Sequence, residues 1–253
     1  MKRDKIAVVF GGRSPIALEC ALQISLMQRV LLVSRSDDDE IRRLINGSNV
    51  EVIAANLEVE GESTRVMLHA KRLGCELNAA IFLQRYKDSK PNFQLHASVE
   101  LWSIVEALEV IEAQNTHSGF VQVLISSSPA ANQVLFDQDV SYHIVKAGQE
   151  SIVRYYATKL AKTNIFINAI RIGSLVQKPR AAAYWRSVPE VVAGLSKISS
   201  SERVLTSNEV GTHLAKLATG LSPGITGQVI TIDNGFSLRD SAQVARLALE
   251  GKL

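Results

Sequence analysis

The chain has 253 residues, 46% hydrophobic and 21% charged, with a formal net charge of +3. Such a chain suits one large α/β domain or two small ones with a sizeable core, and it excludes a disordered polymer. Its scattered Lys and Arg argue against nucleic-acid binding, its two cysteines, Cys20 and Cys75, against a disulfide framework, and its short apolar runs against a membrane span of roughly 18 residues.

Met1-Lys2-Arg3-Asp4-Lys5 resembles the start of a signal peptide. The apolar run Ile6–Phe10 behind it is too short for one and ends in Gly11-Gly12, which argues against a signal peptide, while the two cysteines, outside any CxxC, fit a reducing cytoplasm. Further β-branched runs follow at Val30–Val33, Val50–Ala54, Leu77–Leu83, Val121–Ile125, Ile165–Ile170 and Gln228–Ile232. All are too short for helices and read as strands. Between them, helical periodicity marks Ile16–Gln28, Asp38–Ile45, Glu62–Leu73, Leu95–Ala113, Tyr142–Ala161 and Asn208–Thr219. Continuous apolar strands alternating with helices predict a seven-stranded parallel sheet covered on both faces, a Rossmann-like doubly wound α/β domain spanning residues 1–253. The stretch Leu175–Leu205 is the least regular and reads as a lid or substrate loop above the carboxyl ends of the strands. In the tail Arg239–Leu253, residues Val244, Leu247 and Ala248 form one helical face suited to docking or self-association.

The first strand runs into Gly11-Gly12-Arg13-Ser14-Pro15-Ile16. A glycine turn before a helix start turns backbone N–H groups and the helix dipole toward an anion. Ser14 suits an N-cap, Pro15 the first helical position, and Arg13 adds a cation. At the end of the second strand stands Val33-Ser34-Arg35-Ser36. Dinucleotide sites that use NAD carry an acid there, whereas Ser34 and Arg35 favour a 2′-phosphate, so NADP(H) is preferred to NAD(H). The acids Asp37-Asp38-Asp39 behind them read as a helix N-cap and first turn, or as a reach toward a ribose. Tyr142 and Lys146 lie four residues apart, on one face of a helix. A free Tyr is a poor acid–base group near neutrality, and a nearby Lys cation favours the phenolate, which suits proton exchange with an alcohol or carbonyl oxygen. The five histidines form no HxH or HxxxH pair and no metal is expected; His143 points about 100° away from Tyr142 and reads as non-catalytic.

Together these residues resemble the short-chain dehydrogenase/reductase family over nearly the whole chain. Tyr142 and Lys146 match its YxxxK. Ile125-Ser126-Ser127 looks like its fifth strand ending in the catalytic serine, with Ser127 the match and Ser126 or Ser128 as alternatives because the spacing to Tyr142 is two residues long. Asn168-Ala169-Ile170-Arg171-Ile172-Gly173 resembles its segment after the sixth strand, with Ile172 for Pro. Ser207-Asn208-Glu209-Val210, Thr226-Gly227-Gln228 and Asp233-Asn234-Gly235 match in turn. Departures accompany the matches. Pro15 and Ala17 replace two of the family's three turn glycines, Gln84-Arg85 stand in its N-N-A-G, Glu100 stands where the fourth helix carries Asn, and Asn56 stands where an Asp lies near the adenine.

The resemblance implies a reductase or alcohol dehydrogenase in which Tyr142 is the acid, Lys146 supports it and touches the nicotinamide ribose, and Ser127 donates to the carbonyl oxygen. It implies cofactor contacts at Gly11, Arg13, Ser14 and Ile16, at Ser34 and Arg35, at Asn56 and Leu57, at Leu83 and Gln84, and at Gly173 and Leu175, besides Tyr142 and Lys146. It also implies a small-molecule carbonyl or alcohol substrate and a homodimer or homotetramer packed through the fourth and fifth helices. The eroded glycine and N-N-A-G motifs leave two alternatives, a nucleotide-binding relative with little catalysis and an enzyme acting on a sugar or nucleotide-sugar.

Overall fold

The computed structural model describes residues 4–87, 92–114, 119–173, 176–177, 182–199, 201–220 and 224–251. Leu175, Lys178, Pro179 and Arg180 lie outside the described residues. Strands β1 (Lys5–Phe10), β2 (Arg29–Ser34), β3 (Val50–Ala54), β4 (Glu76–Phe82), β5 (Val121–Ser127), β6 (Ile165–Ile172) and β9 (Val229–Ile232) form one parallel sheet in the order β3-β2-β1-β4-β5-β6-β9. The order reverses between β1 and β4, which opens the crevice where ligands of such sheets sit.

Alternation along each strand sorts the apolar side chains into two layers. Ile6, Val8, Phe10, Val123, Ile125 and Ile167 form one core with helices α3 (Glu62–Arg72), α5 (Ser103–Ala113) and α6 (Val140–Lys159). Ala7, Val9, Leu32, Ile81, Leu124 and Ile170 form the other with α1 (Pro15–Ser25) and α9 (Ser207–Gly220). In the first layer Phe10 stacks on Phe82, ring centroids 4.7 Å apart, a pairing that adds about 0.5–1.5 kcal/mol to the burial itself. In the second, α1 and α9 touch backbone to side chain. A Cβ added at Gly211 would stand 2.8 Å from the Ile16 carbonyl oxygen and 2.6 Å from the Glu19 Cβ.

Two predicted regions differ from expectation. The helix predicted over Leu95–Ala113 consists of α4 (Phe93–Ala97), a π-turn at Ser98–Trp102 and α5. A π-turn takes in one residue more than an α-turn, so Val99 and Glu100 both face inward and are buried. The predicted irregular stretch Leu175–Leu205 holds α7 (Ala182–Ser187) and α8 (Pro189–Ile198). Two short strands, β7 (Val176–Gln177) and β8 (Leu205–Thr206), pair in parallel on either side of them. Pro189 ends one helix and opens the next, the position where its missing N–H is harmless. Helix α2 (Asp39–Leu44) starts as predicted, with Asp38 accepting from the Ile41 N–H at 3.1 Å. The terminal helix α10 (Ser241–Leu249) half-buries Val244 and Leu247 and leaves Ala248 exposed. Among the described residues no helix is long and apolar enough to cross a membrane.

Candidate active site

A cleft of about 700 Å³ opens at the carboxyl ends of β1, β2, β4 and β5. One wall is the turn after β1. Gly11 holds φ +95°, and a Cβ there would lie 2.7 Å from the Leu83 carbonyl carbon, so the turn needs a residue without one. The Gly11 and Gly12 N–H groups both donate to the Val33 carbonyl, at 3.1 and 2.9 Å, and the Ser14 N–H returns to the Gly11 carbonyl at 2.8 Å. The turn is thereby tied to β2. Ser14 occupies the N-cap position of α1 without capping it through its side chain, which leaves its hydroxyl and the first-turn N–H groups available to an anion.

Every predicted site residue except Leu175 lines this one cleft: Gly11, Arg13, Ser14 and Ile16; Ser34 and Arg35; Asn56 and Leu57; Leu83 and Gln84; Ser127, Tyr142 and Lys146; and Gly173. Two of them carry buried polar atoms with no partner among the described residues, Ser34 Oγ and Gln84 Oε1. Such atoms cost about 1–3 kcal/mol each when unmet, and a ligand bearing hydroxyl or amino groups would meet them. The glycine cradle, the open helix start and these two orphans fit a dinucleotide.

The charges beside the turn are already engaged. Arg13 donates to Ser36 Oγ at 2.8 Å and to Asp38 Oδ2 at 3.0 Å. Arg35 lies 3.5 Å from Glu58. Asp38 is held below the usual carboxylate range, first by the Ile41 N–H and then by Ser36 and Arg13.

At the other end of the cleft, α6 begins with Asp139 accepting from the Ser141 N–H at 2.8 Å, which sets Tyr142 and Lys146 on the inward face. Both are nine-tenths or more buried. The Lys146 ammonium lies 5.3 Å from the Tyr142 ring centroid. It donates to Glu100 Oε2 at 2.7 Å and to Gln149 Oε1 at 3.0 Å, while Gln149 donates to the Glu100 backbone carbonyl at 3.1 Å. The second Glu100 oxygen accepts from the Tyr86 N–H at 2.8 Å. An ammonium has three donors; two are used here, and the third is left for the cleft. The residue standing where the family carries Asn therefore binds Lys146 directly.

Ser127 Oγ donates to Glu150 Oε1 at 2.8 Å, and Arg171 makes three hydrogen bonds to the same carboxylate, at 2.8 to 3.0 Å. Ser128 caps a short 3₁₀ turn by accepting from the Ala130 N–H at 3.3 Å. His143 accepts from the Leu135 N–H through Nε2 at 2.9 Å, so Nδ1 carries the proton and donates to the Asp139 carbonyl at 3.0 Å. It braces the loop before α6. Burial pushes the Cys20 thiol up, as suits an inert core residue. No group of three His, Cys, Asp or Glu among the described residues could hold a metal ion.

Sequence reasoning missed Glu150 and Arg171, which hold Ser127 from behind, and Val99 and Gln138, which line the cleft. Only Glu150 carried a signal, lying one helical turn beyond Lys146 on the same face.

The family model described as enoyl-(acyl carrier protein) reductase matches residues 12–237. An enoyl-[acyl-carrier-protein] reductase [NADH] FabI from Synechocystis sp. is 35% identical over 95 residues, 38% of this chain and 36% of that protein. The corresponding protein of Buchnera aphidicola is 26% identical over 150 residues, 59% of this chain and 56% of that one. The chain thus aligns with less than two thirds of the length of these relatives. Among solved structures, a 3-oxoacyl-[acyl-carrier protein] reductase from Brucella melitensis in complex with NAD superposes with a TM-score of 0.79 at 19% identity, covering 95% of this chain and all of that one. The Pseudomonas aeruginosa RhlG/NADP complex gives 0.74 at 21% identity, covering 92% and 96%.

Proposed function

From the premise that the chain belongs to the short-chain dehydrogenase/reductase family, we propose that it is a nicotinamide-dinucleotide-dependent oxidoreductase that reduces a carbonyl or oxidises the matching secondary alcohol. The observation that carries this reading is that Tyr142 and Lys146 line the same cleft as the Gly11–Ile16 turn. The dinucleotide, when bound, supplies or accepts the hydride. Tyr142 gives its phenolic proton to the oxygen that gains charge. Lys146, fixed by Glu100 and Gln149, turns its third N–H toward Tyr142 and the cofactor ribose. Ser127 supports the substrate oxygen once its hydroxyl turns from Glu150, which Arg171 keeps satisfied.

A second reading is favoured by the enoyl reductase description of the matching family model. Hydride addition to a double bond conjugated with a thioester carbonyl also places negative charge on an oxygen, and Tyr142 would protonate the enolate with the same residues in the same roles. For the cofactor, Arg13 and Arg35 favour NADP(H), provided that the 2′-phosphate displaces Asp38 and Glu58 from them. Asp38 beside Arg13 favours NADH instead, since a carboxylate can accept from a ribose diol.

Fluorescence titration of NADPH and NADH separates these. Sub-millimolar binding of one of them is expected, with NADPH the tighter, and Arg35→Asp reverses the order. No binding of either ends the oxidoreductase reading, and tighter NADH binding by the unmodified chain ends the NADP preference. Tyr142→Phe is expected to lower turnover by roughly 10²–10⁴-fold, and full turnover in that variant would remove Tyr142 from the chemistry.

A further inference from the structure

Arg85 occupies a position where the family carries glycine, and nothing in the reductase mechanism uses it. Its guanidinium carbon stands 4.4 Å from the centroid of the Tyr142 ring, within cation–π range. One arm donates to Gln138 Oε1 at 2.7 Å across the mouth of the cleft. The side chain is therefore held by a ring and a neutral amide, with other donors of its fork left over.

Its charge sets it apart from its neighbours. Arg13, Arg35 and Lys146 also line the cleft, and each faces an acid: Asp38 at 3.0 Å, Glu58 at 3.5 Å and Glu100 at 2.7 Å. Arg171, behind Ser127, is matched by Glu150 at 2.8 Å. Arg85 has no carboxylate partner among the described residues. Asp137 lines the same cleft, but its carboxylate accepts from the Gln138 amide at 3.1 Å. The paired cations cancel at short range, whereas Arg85 brings a positive charge without a carboxylate partner to within 4.4 Å of the Tyr142 ring centroid. A planar fork stacked on an aromatic ring, with free N–H groups beside the acid that would protonate the substrate, is the arrangement that binds a carboxylate or phosphate bidentately.

We propose that Arg85 is a specificity-determining residue that binds an anionic group, a carboxylate or a phosphate, carried by the substrate close to the carbon that is reduced. This role presupposes the reductase reading of the cleft and adds the substrate class to it. Anchoring the anion on Arg85 holds the neighbouring carbonyl over Tyr142 and orders the substrate for hydride transfer.

Two matched pairs test it, acetoacetate against methyl acetoacetate and dihydroxyacetone phosphate against dihydroxyacetone, each with whichever nucleotide binds. The unmodified chain is expected to prefer the anionic member in kcat/KM. In Arg85→Gln that preference falls by roughly 10- to 100-fold, through KM of the anionic member. Arg85→Lys restores part of it, because charge remains and the fork is lost. The pair with the larger preference identifies carboxylate or phosphate. Equal effects on both members of each pair would overturn the assignment. So would a loss of nucleotide affinity as large as the loss of preference, which would place Arg85 on the cofactor. If neither NADPH nor NADH binds, the reductase reading falls separately. Calorimetric titration of acetoacetate and dihydroxyacetone phosphate into the protein alone then decides the matter: binding abolished in Arg85→Gln upholds the anion site, and no binding of either anion by the unmodified chain removes it.

Discussion

Lys146 and Glu100 form a buried ion pair whose side chains are 4% and 0% exposed. Desolvation of two charges offsets much of their attraction, so the pair itself contributes little net stability, whereas removing one partner leaves the other charged and dry. Lys146→Met is expected to cost about 3–5 kcal/mol in urea unfolding, and adding Glu100→Leu to recover most of it. A double variant no more stable than the single would mean that Glu100 draws its support from the Tyr86 N–H and Gln149 instead. The sequence exposed Tyr142 and Lys146 because four residues on a helix make a local pattern. Their partners belong to tertiary structure. Glu100 lies 46 positions before Lys146, and Arg171 reaches Glu150 from a strand 21 positions on; no spacing rule connects such residues.

Among the elements, the strands were the most legible, because a parallel sheet covered on both faces demands continuous β-branched runs. The π-turn at Ser98–Trp102 was not, since one extra residue within a long apolar periodicity leaves the pattern nearly intact. Helix α8 was missed for a different reason. Pro189 and the serines after Ile198 read as loop signals, although Val191, Val192, Leu195 and Ile198 repeat at helical spacing. Strands of two residues, such as β7 and β8, lie below any periodicity. The turn after β1 gives this scale its sharpest prediction. Gly11→Ala forces a Cβ against the Leu83 backbone at 2.7 Å and strains a φ of +95°. It is expected to cost at least ~1–2 kcal/mol in thermal unfolding and to weaken nucleotide binding together with stability. Unchanged melting and unchanged binding would show that the turn relaxes freely.

At the scale of the whole molecule, five carboxylates at helix starts or in arginine pairs are held below their usual range. The Ile41 N–H lowers Asp38, Arg42 lowers Asp37, the Ser141 hydroxyl lowers Asp139, Arg65 lowers Glu62 and the Thr206 N–H lowers Glu209. Groups depressed in the folded state stabilise it fully above their unfolded values and lose that contribution as pH falls through the folded ones. Melting temperature is therefore expected to be level with respect to these groups near neutrality and to drop below about pH 4.5, less steeply in high salt, which screens the exposed arginine pairs. A melting temperature constant down to pH 3 would show that these contacts add nothing. The strand order β3-β2-β1-β4-β5-β6-β9 bears also on how the chain is made. During synthesis β1 emerges first, β2 and β3 then extend the sheet on one side, and β4, β5, β6 and β9 extend it on the other. Each arriving strand meets an open edge of what is already formed, and none has to be wedged between two neighbours. The sheet can grow outward in the order in which the ribosome releases it, with the cleft completed only when its second half arrives.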